Sequence, residues 1–182
     1  MSMPRLDDLV GFGSGTWWIF LGIVAMGRGA DLFSTWLATP GLELEANPLA
    51  RRLGWRWGIP VNVAMILGTA LWPMLAVSLA TTSFLVAARN LQQAWLMRSL
   101  GEVGYRLWFA DRIAASPPRL VWLCFLGEGG LTGAVGGALM LFGPSALVPF
   151  GIGLGIFAYG VAVCLFTGMS LWRFFRVPTH DR

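Results

Sequence analysis

A dense group of polar residues interrupts this apolar chain in the stretch GLELEANPLARR, residues 41 to 52. Carboxylates serve as ligands for hard cations and as general acids or bases, whereas arginines bind anionic groups. This mixture of residue types is typical of a site for a cation or for an anionic lipid headgroup. The side chains with this chemistry are Glu43, Glu45, Asn47, Arg51 and Arg52.

The same stretch also has a purely structural interpretation. Pro48 suits the first turn of a helix and Asn47 suits its N-cap, with both arginines following inside that helix. A capped turn therefore explains the Asn-Pro step and the arginines without any chemistry. It does not explain Glu45, which follows shortly after an aspartate in the preceding apolar segment.

A second group of polar residues lies inside otherwise apolar segments. Arg28 and Asp31 are three residues apart and Thr35 lies one turn further on, so the three share a helix face. Glu128 lies at a comparable estimated depth in a later segment, so an Arg28–Glu128 contact or an Arg28–Asp31–Glu128 cluster is geometrically reasonable. Two interpretations stay open: a neutralised cluster that locks helices together, or a polar site for an ion, a proton or a headgroup.

A metal site would require carboxylates that converge. Asp31, Glu45 and Glu128 could supply oxygen ligands to a hard divalent cation such as Mg²⁺ or Ca²⁺. Their spacing in the sequence does not establish that they meet, so the sequence assigns no metal ligand and no catalytic residue.

Composition excludes several classes of protein. The 182 residues are 56% apolar and only 12% charged, which indicates an integral membrane protein. With one histidine, two isolated cysteines and no lysine, the chain disfavours haem, chlorophyll, iron–sulfur and histidine-based zinc sites. The net charge of +4 comes from arginines at the ends of apolar runs, which favours membrane flanks over nucleic acid.

The elements that must position these residues are all helical. We expect a single all-α membrane domain over residues 1–182, in which transmembrane helices of ~20 residues end at proline and glycine breakers. Polar and apolar residues alternate between the second and third helices and predict an amphipathic interfacial connector. The four predicted spans cover about 16–37, 59–86, 120–142 and 146–172, and the connector covers about 89–113.

Arginine counts predict the orientation. Nine arginines fall in the N-terminal tail, in residues 87–119 that contain the connector, and in the C-terminal tail, against three in the first loop. The positive-inside rule then places both termini and the connector in the cytoplasm and GLELEANPLARR outside. Trp36 belongs to the outer aromatic belt in this topology, and Trp17, Trp122 and Trp172 belong to the inner one.

Glycines repeat every four residues in the last two predicted spans, at Gly129, Gly133 and Gly137 and at Gly151 and Gly155. Such repeats let helix backbones approach closely. We favour a contact within the chain, with a second copy or another membrane protein as the alternative partner.

The run from Asp31 to Pro48 resembles the N-terminal part of small prokaryotic membrane proteins of the DUF5658 type. Their pattern of aspartate, threonine, glycine, glutamate and Asn-Pro is matched by Asp31, Thr35, Gly41, Glu45, Asn47 and Pro48. The resemblance covers the first third of the chain, and it implies a polytopic protein of the prokaryotic cytoplasmic membrane without an established activity.

Two functional hypotheses follow. The first is a non-catalytic helical module that serves as an accessory subunit or binds lipid, with anionic lipid favoured by the arginines. The alternative is a transporter or metal-dependent membrane enzyme that uses Asp31, Glu45 and Glu128 on a lipid or lipid-linked substrate. The glycine repeats, the amphipathic connector and the lack of a complete catalytic group favour the first.

Overall fold

The computed structural model describes residues 8–144 and 146–176, with side chains as far as Trp172. This part of the chain is all-helical, as predicted, and holds five helices and no strand. Three of them (α3, α4 and α5) are long and apolar enough to cross a membrane. The helices are α1 (Gly15–Ala38), α2 (Pro48–Thr69), α3 (Pro73–Ala114), α4 (Pro118–Phe142) and α5 (Leu147–Arg176).

Helix α1 lies parallel to α3 along most of its length. Ser14 is its N-cap, and the Ser14 hydroxyl accepts a hydrogen bond from the Trp17 amide at 3.1 Å. A Cβ built on Gly27 would lie 2.9 Å from the Cα of Ala80, so the two backbones touch where no larger residue fits. This close approach fixes the register that brings the polar residues of α1 onto α3.

The predicted second span, 59–86, is wrong, because the structure divides it between two helices. Helix α2 ends at Thr69, the chain turns at residues 70–72, and α3 begins at Pro73. A proline in the first turn of a helix loses no hydrogen bond, so Pro73 starts a helix here and does not kink one. Helix α2 therefore runs antiparallel to α1, and α3 runs parallel to α1.

The predicted connector, 89–113, is the continuation of α3. Gly101, at φ +71°, interrupts the helix in the left-handed region that glycine adopts without strain. The bend is sharp, because the Tyr105 hydroxyl donates to Gln93 at 3.3 Å, whereas twelve residues of straight helix would span ~18 Å.

Helices α4 and α5 form an antiparallel hairpin. Gly129, Gly133 and Gly136 are the glycines of α4 that are buried, and a Cβ on Gly160 of α5 would lie 2.5 Å from the Gly129 carbonyl oxygen. The glycine contact is thus internal, as we favoured, although Gly136 takes the place expected for Gly137. On α5, Gly151 and Gly155 face α3 and not α4: Cβ atoms there would lie 2.9 Å from Val77 and 2.5 Å from the Ser78 carbonyl oxygen.

The described chain begins and ends at opposite ends of the bundle. The Val10 amide donates to the Leu71 carbonyl at 2.9 Å, beside the start of α3. Leu171, near the end of α5, packs on Ile113 and Val121 at the far end of α3. The four-span scheme expects both termini on one side of the membrane, whereas the described residues begin and end at opposite ends of the bundle, because α2 and α3 are separate helices.

The stretch that opens at Gly41 lies at the same end as the connector, and not on the opposite side as predicted. The Gly41 amide donates to Glu102 at 2.7 Å. The guanidinium of Arg98 stacks over Trp36 at 6.0 Å, so Trp36 shares the level of the connector and not that of an outer belt. Trp17, expected beside Trp122 and Trp172, lies instead near the start of α3.

Candidate functional site

Arg28 is the centre of a polar network that joins three helices. Its Nη1 contacts Asp31 Oδ2 at 2.5 Å and donates to Ser83 Oγ of α3 at 3.2 Å. Its Nε and Nη2 donate to the side-chain oxygen of Asn62 on α2, the former at 2.8 Å. The Arg28 and Asp31 side chains are only 17% and 13% exposed, so the pair is largely buried inside the bundle.

The network continues along the interface between α1 and α3. Ser34 donates to the Asp31 carbonyl at 2.9 Å, and the Asn90 amide donates to Ser34 Oγ at 3.3 Å and to Thr35 Oγ1 at 3.1 Å. Asp31, Ser34 and Thr35 are buried. The structure therefore brings together Arg28, Asp31 and Thr35, as predicted.

Ser83 and Asn90 are members of this network that sequence reasoning missed. They are seven residues apart, which is two helical turns, so they share one face of α3. Ser83 falls in the second predicted span and Asn90 in the predicted connector, so the boundary between these two segments separated them. Asn62 of α2 also belongs to the network, because its side-chain oxygen accepts from Arg28.

Glu128 is not part of this network, so the predicted Arg28–Asp31–Glu128 cluster is wrong. Its carboxylate lies 3.5 Å from Arg89 Nη2 of α3. In the described chain α4 packs on α5 and on the edge of α3 but not on α1, so Glu128 cannot reach Arg28. Its side chain is 45% exposed on the outside of the bundle, whereas Asp31 lies inside.

Glu102 holds the loop that follows α1. Its carboxylate accepts hydrogen bonds from Thr39 Oγ1 at 3.0 Å and from the amides of Gly41 at 2.7 Å and Glu43 at 3.4 Å. A Cβ at Gly41 would lie 2.7 Å from Glu102 Oε2, so the loop can approach only because residue 41 is glycine. Sequence reasoning did not find this role, because Glu102 is 59 to 63 residues from its partners.

The turn into α2 has the capped form that the sequence predicts. Asn47 Oδ1 accepts from the Leu49 amide at 3.0 Å, and Pro48 occupies the first turn. Arg51 and Arg52 are exposed on that helix. These residues form a helix start and carry their charges outward.

Glu45 is the one residue of the stretch that the turn does not explain. It accepts the Asn47 amide at 2.8 Å, and in the described chain no arginine lies within ion-pair distance of it. Burial raises the pKa of the Glu45 carboxyl above its usual 4.5; the Asn47 hydrogen bond opposes this, and the negative charge of Asp31 adds to it. Glu45 and Asp31 thus interact, but the described residues contain no group of three metal-ligating side chains.

One end of the bundle is rich in exposed arginines, and we call it the arginine-rich end. It comprises the loop 39–47, the start of α2, α3 on either side of Gly101, and the start of α4. Only Arg106 has an ion-pair partner there among the described residues, Glu43 at 3.8 Å. The arginines at this end that are exposed and have no ion-pair partner in the described chain are Arg51, Arg52, Arg56, Arg98, Arg112 and Arg119.

The chain matches no family model, no curated protein and no solved structure. The resemblance to the DUF5658 type therefore stays a prediction that rests on the residues from Asp31 to Pro48.

Proposed function

We propose that this protein is a non-catalytic module of the prokaryotic cytoplasmic membrane that binds anionic lipid headgroups at its arginine-rich end. The observation that carries the proposal is the set of six exposed arginines without an ion-pair partner in the described chain. Arginines near a membrane surface each attract anionic lipid by about 1 kcal/mol. Six together outweigh the few carboxylates at the same end.

The outer surface of the bundle supports a location within a bilayer. Large apolar side chains are exposed on every helix, such as Ile19 on α1, Val63 on α2 and Leu131 on α4. Water would not stabilise such a surface, whereas lipid tails would. In this proposal α1 and α2 cross the membrane together with α3, α4 and α5. Their polar side chains are compatible with a bilayer because Arg28 of α1 donates a hydrogen bond to Asn62 of α2.

The arginine-rich end faces the cytoplasm in this proposal. Seven of the arginines whose side chains the structure describes lie at this end, and none of them lies at the end where α1 begins. The positive-inside rule favours the cytoplasm for the end with more arginine. The chain then starts outside and ends inside, after five passes.

The buried polar network supports a structural role over catalysis. Arg28 and Asp31 neutralise each other, and Arg28 also donates hydrogen bonds to Asn62 on α2 and Ser83 on α3. A hydrolytic or metal-dependent site needs a free base or an ion with room for water. The alternative, a transporter or enzyme that uses Asp31 and Glu45, depends on the interaction of those two carboxyls alone.

The proposal is tested by the lipids that remain bound after extraction. Protein from vesicles of equal phosphatidylglycerol and phosphatidylcholine is extracted in mild detergent and its lipids are quantified by native mass spectrometry. We expect several-fold enrichment of phosphatidylglycerol, which declines as salt increases. Replacing the six arginines by glutamine should abolish the enrichment, and replacing them by lysine should preserve it. Equal retention of both lipids by the wild-type protein would refute the proposal.

A further inference from the structure

Two apolar clefts lie on the outside of α4. The first, of about 620 Å³, is lined by residues near the start of the helix from Pro118 to Gly127. The second, of about 600 Å³, lies between α4 and α5 from Gly129 to Phe142. Both open outward and are lined almost entirely by carbon.

The two clefts share one face of α4. The α4 residues that line the two clefts repeat with a spacing of eleven. The first cleft is lined by residues 118, 119, 122, 123, 126 and 127, and the second by residues 129, 130, 133, 134, 137 and 138, each eleven positions later. Eleven residues are about three helical turns, so each pair points in the same direction. The clefts therefore form one groove along α4, which we call the α4 groove.

Helix α5 supplies the other wall of the α4 groove. Phe157, Val161 and Cys164 line its deeper part. Nearer the arginine-rich end, a Cβ on Gly168 would lie 4.0 Å from Trp122 and 3.9 Å from Leu126, in ordinary contact with the α4 side. Leu123 and Leu141, which line the first and the second cleft, are 71% and 79% exposed, so the described chain leaves these parts of the groove open.

The mouth of the α4 groove is cationic. Arg119 lines the first cleft at the arginine-rich end; it is exposed and has no ion-pair partner in the described chain. Ten residues of α4 below it span ~15 Å, which is half of a hydrocarbon core of ~30 Å. The apolar α4 groove is thus about as deep as one leaflet, and the guanidinium of Arg119 lies at its mouth.

We propose that the α4 groove holds one anionic glycerophospholipid of the arginine-rich leaflet, with its phosphate on Arg119 and an acyl tail against Trp122, Leu126 and Gly127. The proposal rests on the proposed function, which makes this end bind anionic lipid, and adds a single defined site. Arginine binds phosphate through paired N–H donors, and the apolar lining matches the tail. The cation at the mouth distinguishes this occupant from a second apolar helix.

The test fills the groove without disturbing the fold. A Cβ at Gly127 meets no atom within 4 Å, so Gly127→Leu places its side chain in the path of the tail. Gly22→Leu is the matched control, because Gly22 is an exposed glycine of α1 with equally open space. At the mouth, Arg119→Gln is compared with Arg106→Gln, which removes a charge at the same end that is paired with Glu43 and lies outside the groove.

The readout is a phosphatidylglycerol analogue with a photoreactive diazirine in mid-chain, followed by peptide mapping and by native mass spectrometry of the intact protein. We expect adducts on residues 119–134 of α4 and on the facing part of α5. Gly127→Leu and Arg119→Gln should each reduce those adducts at least fivefold, and both controls should leave them unchanged.

Three results would overturn the proposal. Adducts elsewhere, with phosphatidylglycerol still enriched, would refute the site and leave the proposed function standing. Absence of any enrichment in the wild-type protein would refute both. A dimer that Gly127→Leu converts to monomer, without change in bound lipid, would assign the groove to a second copy of the chain.

Discussion

At the scale of single residues, the carboxyls of Asp31 and Glu45 have different surroundings. Asp31 is held by Arg28 at 2.5 Å, so its charge is compensated within the bundle. Glu45 accepts the Asn47 amide and lies in the loop between α1 and α2. Breaking a buried ion pair costs about 3–5 kcal/mol, which makes Asp31 a stabilising residue. The ionised form of Glu45 has no ion-pair partner in the described chain, and the charge of Arg28 offsets the effect of burial on its pKa only in part.

We predict that Glu45→Gln stabilises the protein in a pH-dependent way. Burial raises the pKa of Glu45 in the folded state above 4.5, so the folded protein binds this proton more tightly than the unfolded chain. The wild-type protein therefore loses stability as pH rises through the raised pKa, whereas the glutamine variant does not. In detergent, thermal unfolding should show a higher Tm for the variant at pH 8 and no difference near pH 4. An equal Tm at both pH values would contradict the prediction.

The residues of the Arg28 network were predictable only where they are close in sequence. Arg28, Asp31 and Thr35 share a face through helical spacing alone, and the sequence predicted them correctly. Asn62, Ser83 and Asn90 come from other helices, and their positions depend on the register between α1 and α3. Glu128 had the right charge and depth to join Arg28, but depth does not determine which helices are neighbours.

At the scale of helices, the glycines of α4 divide into two sets with different roles. Gly129, Gly133 and Gly136 are buried at or near the contact with α5, whereas Gly127 and Gly130 have open space around them. A single sequence shows a glycine-rich helix but does not show which glycines are in contact. The structure separates them by what a Cβ would meet.

We predict that Gly160→Ala destabilises the protein and that Gly130→Ala does not. A Cβ at Gly160 would lie 2.5 Å from the Gly129 carbonyl oxygen, so the hairpin must open. Overpacking of this kind costs about 1–3 kcal/mol. Alanine at Gly130 meets nothing and gains up to about 1 kcal/mol of helix propensity. The measurement is the midpoint of unfolding in a denaturing detergent titration, and equal midpoints for the two variants would contradict the assignment.

The break between α2 and α3 shows what hydropathy cannot determine. Residues 59–86 are apolar almost throughout, so they predict one long span. A turn between two helices has the same composition when it packs against apolar neighbours. In the structure, hydrogen bonds within residues 68–72 close the α2–α3 turn, and the Val10 amide donates to its Leu71 carbonyl.

At the scale of the whole molecule, the turn between α2 and α3 changes which segments lie together. Loop 39–47 and the connector meet through Glu102, so the arginines assigned to opposite faces lie at one end of the bundle. Positive charge is then more asymmetric than the four-span scheme allowed. In the proposed five-pass arrangement, the positive-inside rule therefore assigns the first loop to the cytoplasm.

We predict that the start of the chain and the loop after α1 lie on opposite sides of the membrane. In a variant without Cys124 and Cys164, single cysteines at Leu9, Glu43 and Ser99 are labelled in spheroplasts with a membrane-impermeant maleimide. We expect Leu9→Cys to react from outside and both Glu43→Cys and Ser99→Cys to react only after permeabilisation. The four-span scheme expects Glu43→Cys alone to react from outside. The labelling of the three single-cysteine variants therefore distinguishes the two topologies.

The arrangement of partners around Arg28 also bears on how the protein is made. During synthesis α1 leaves the ribosome with only Asp31 to neutralise Arg28, because Asn62 and Ser83 are 34 and 55 residues further along. The guanidinium is therefore incompletely satisfied until α2 and part of α3 have been translated. In the proposed five-pass arrangement, stable insertion of the first helix depends on residues not yet made, and α1 enters the bilayer together with α2 and α3 as a three-helix unit.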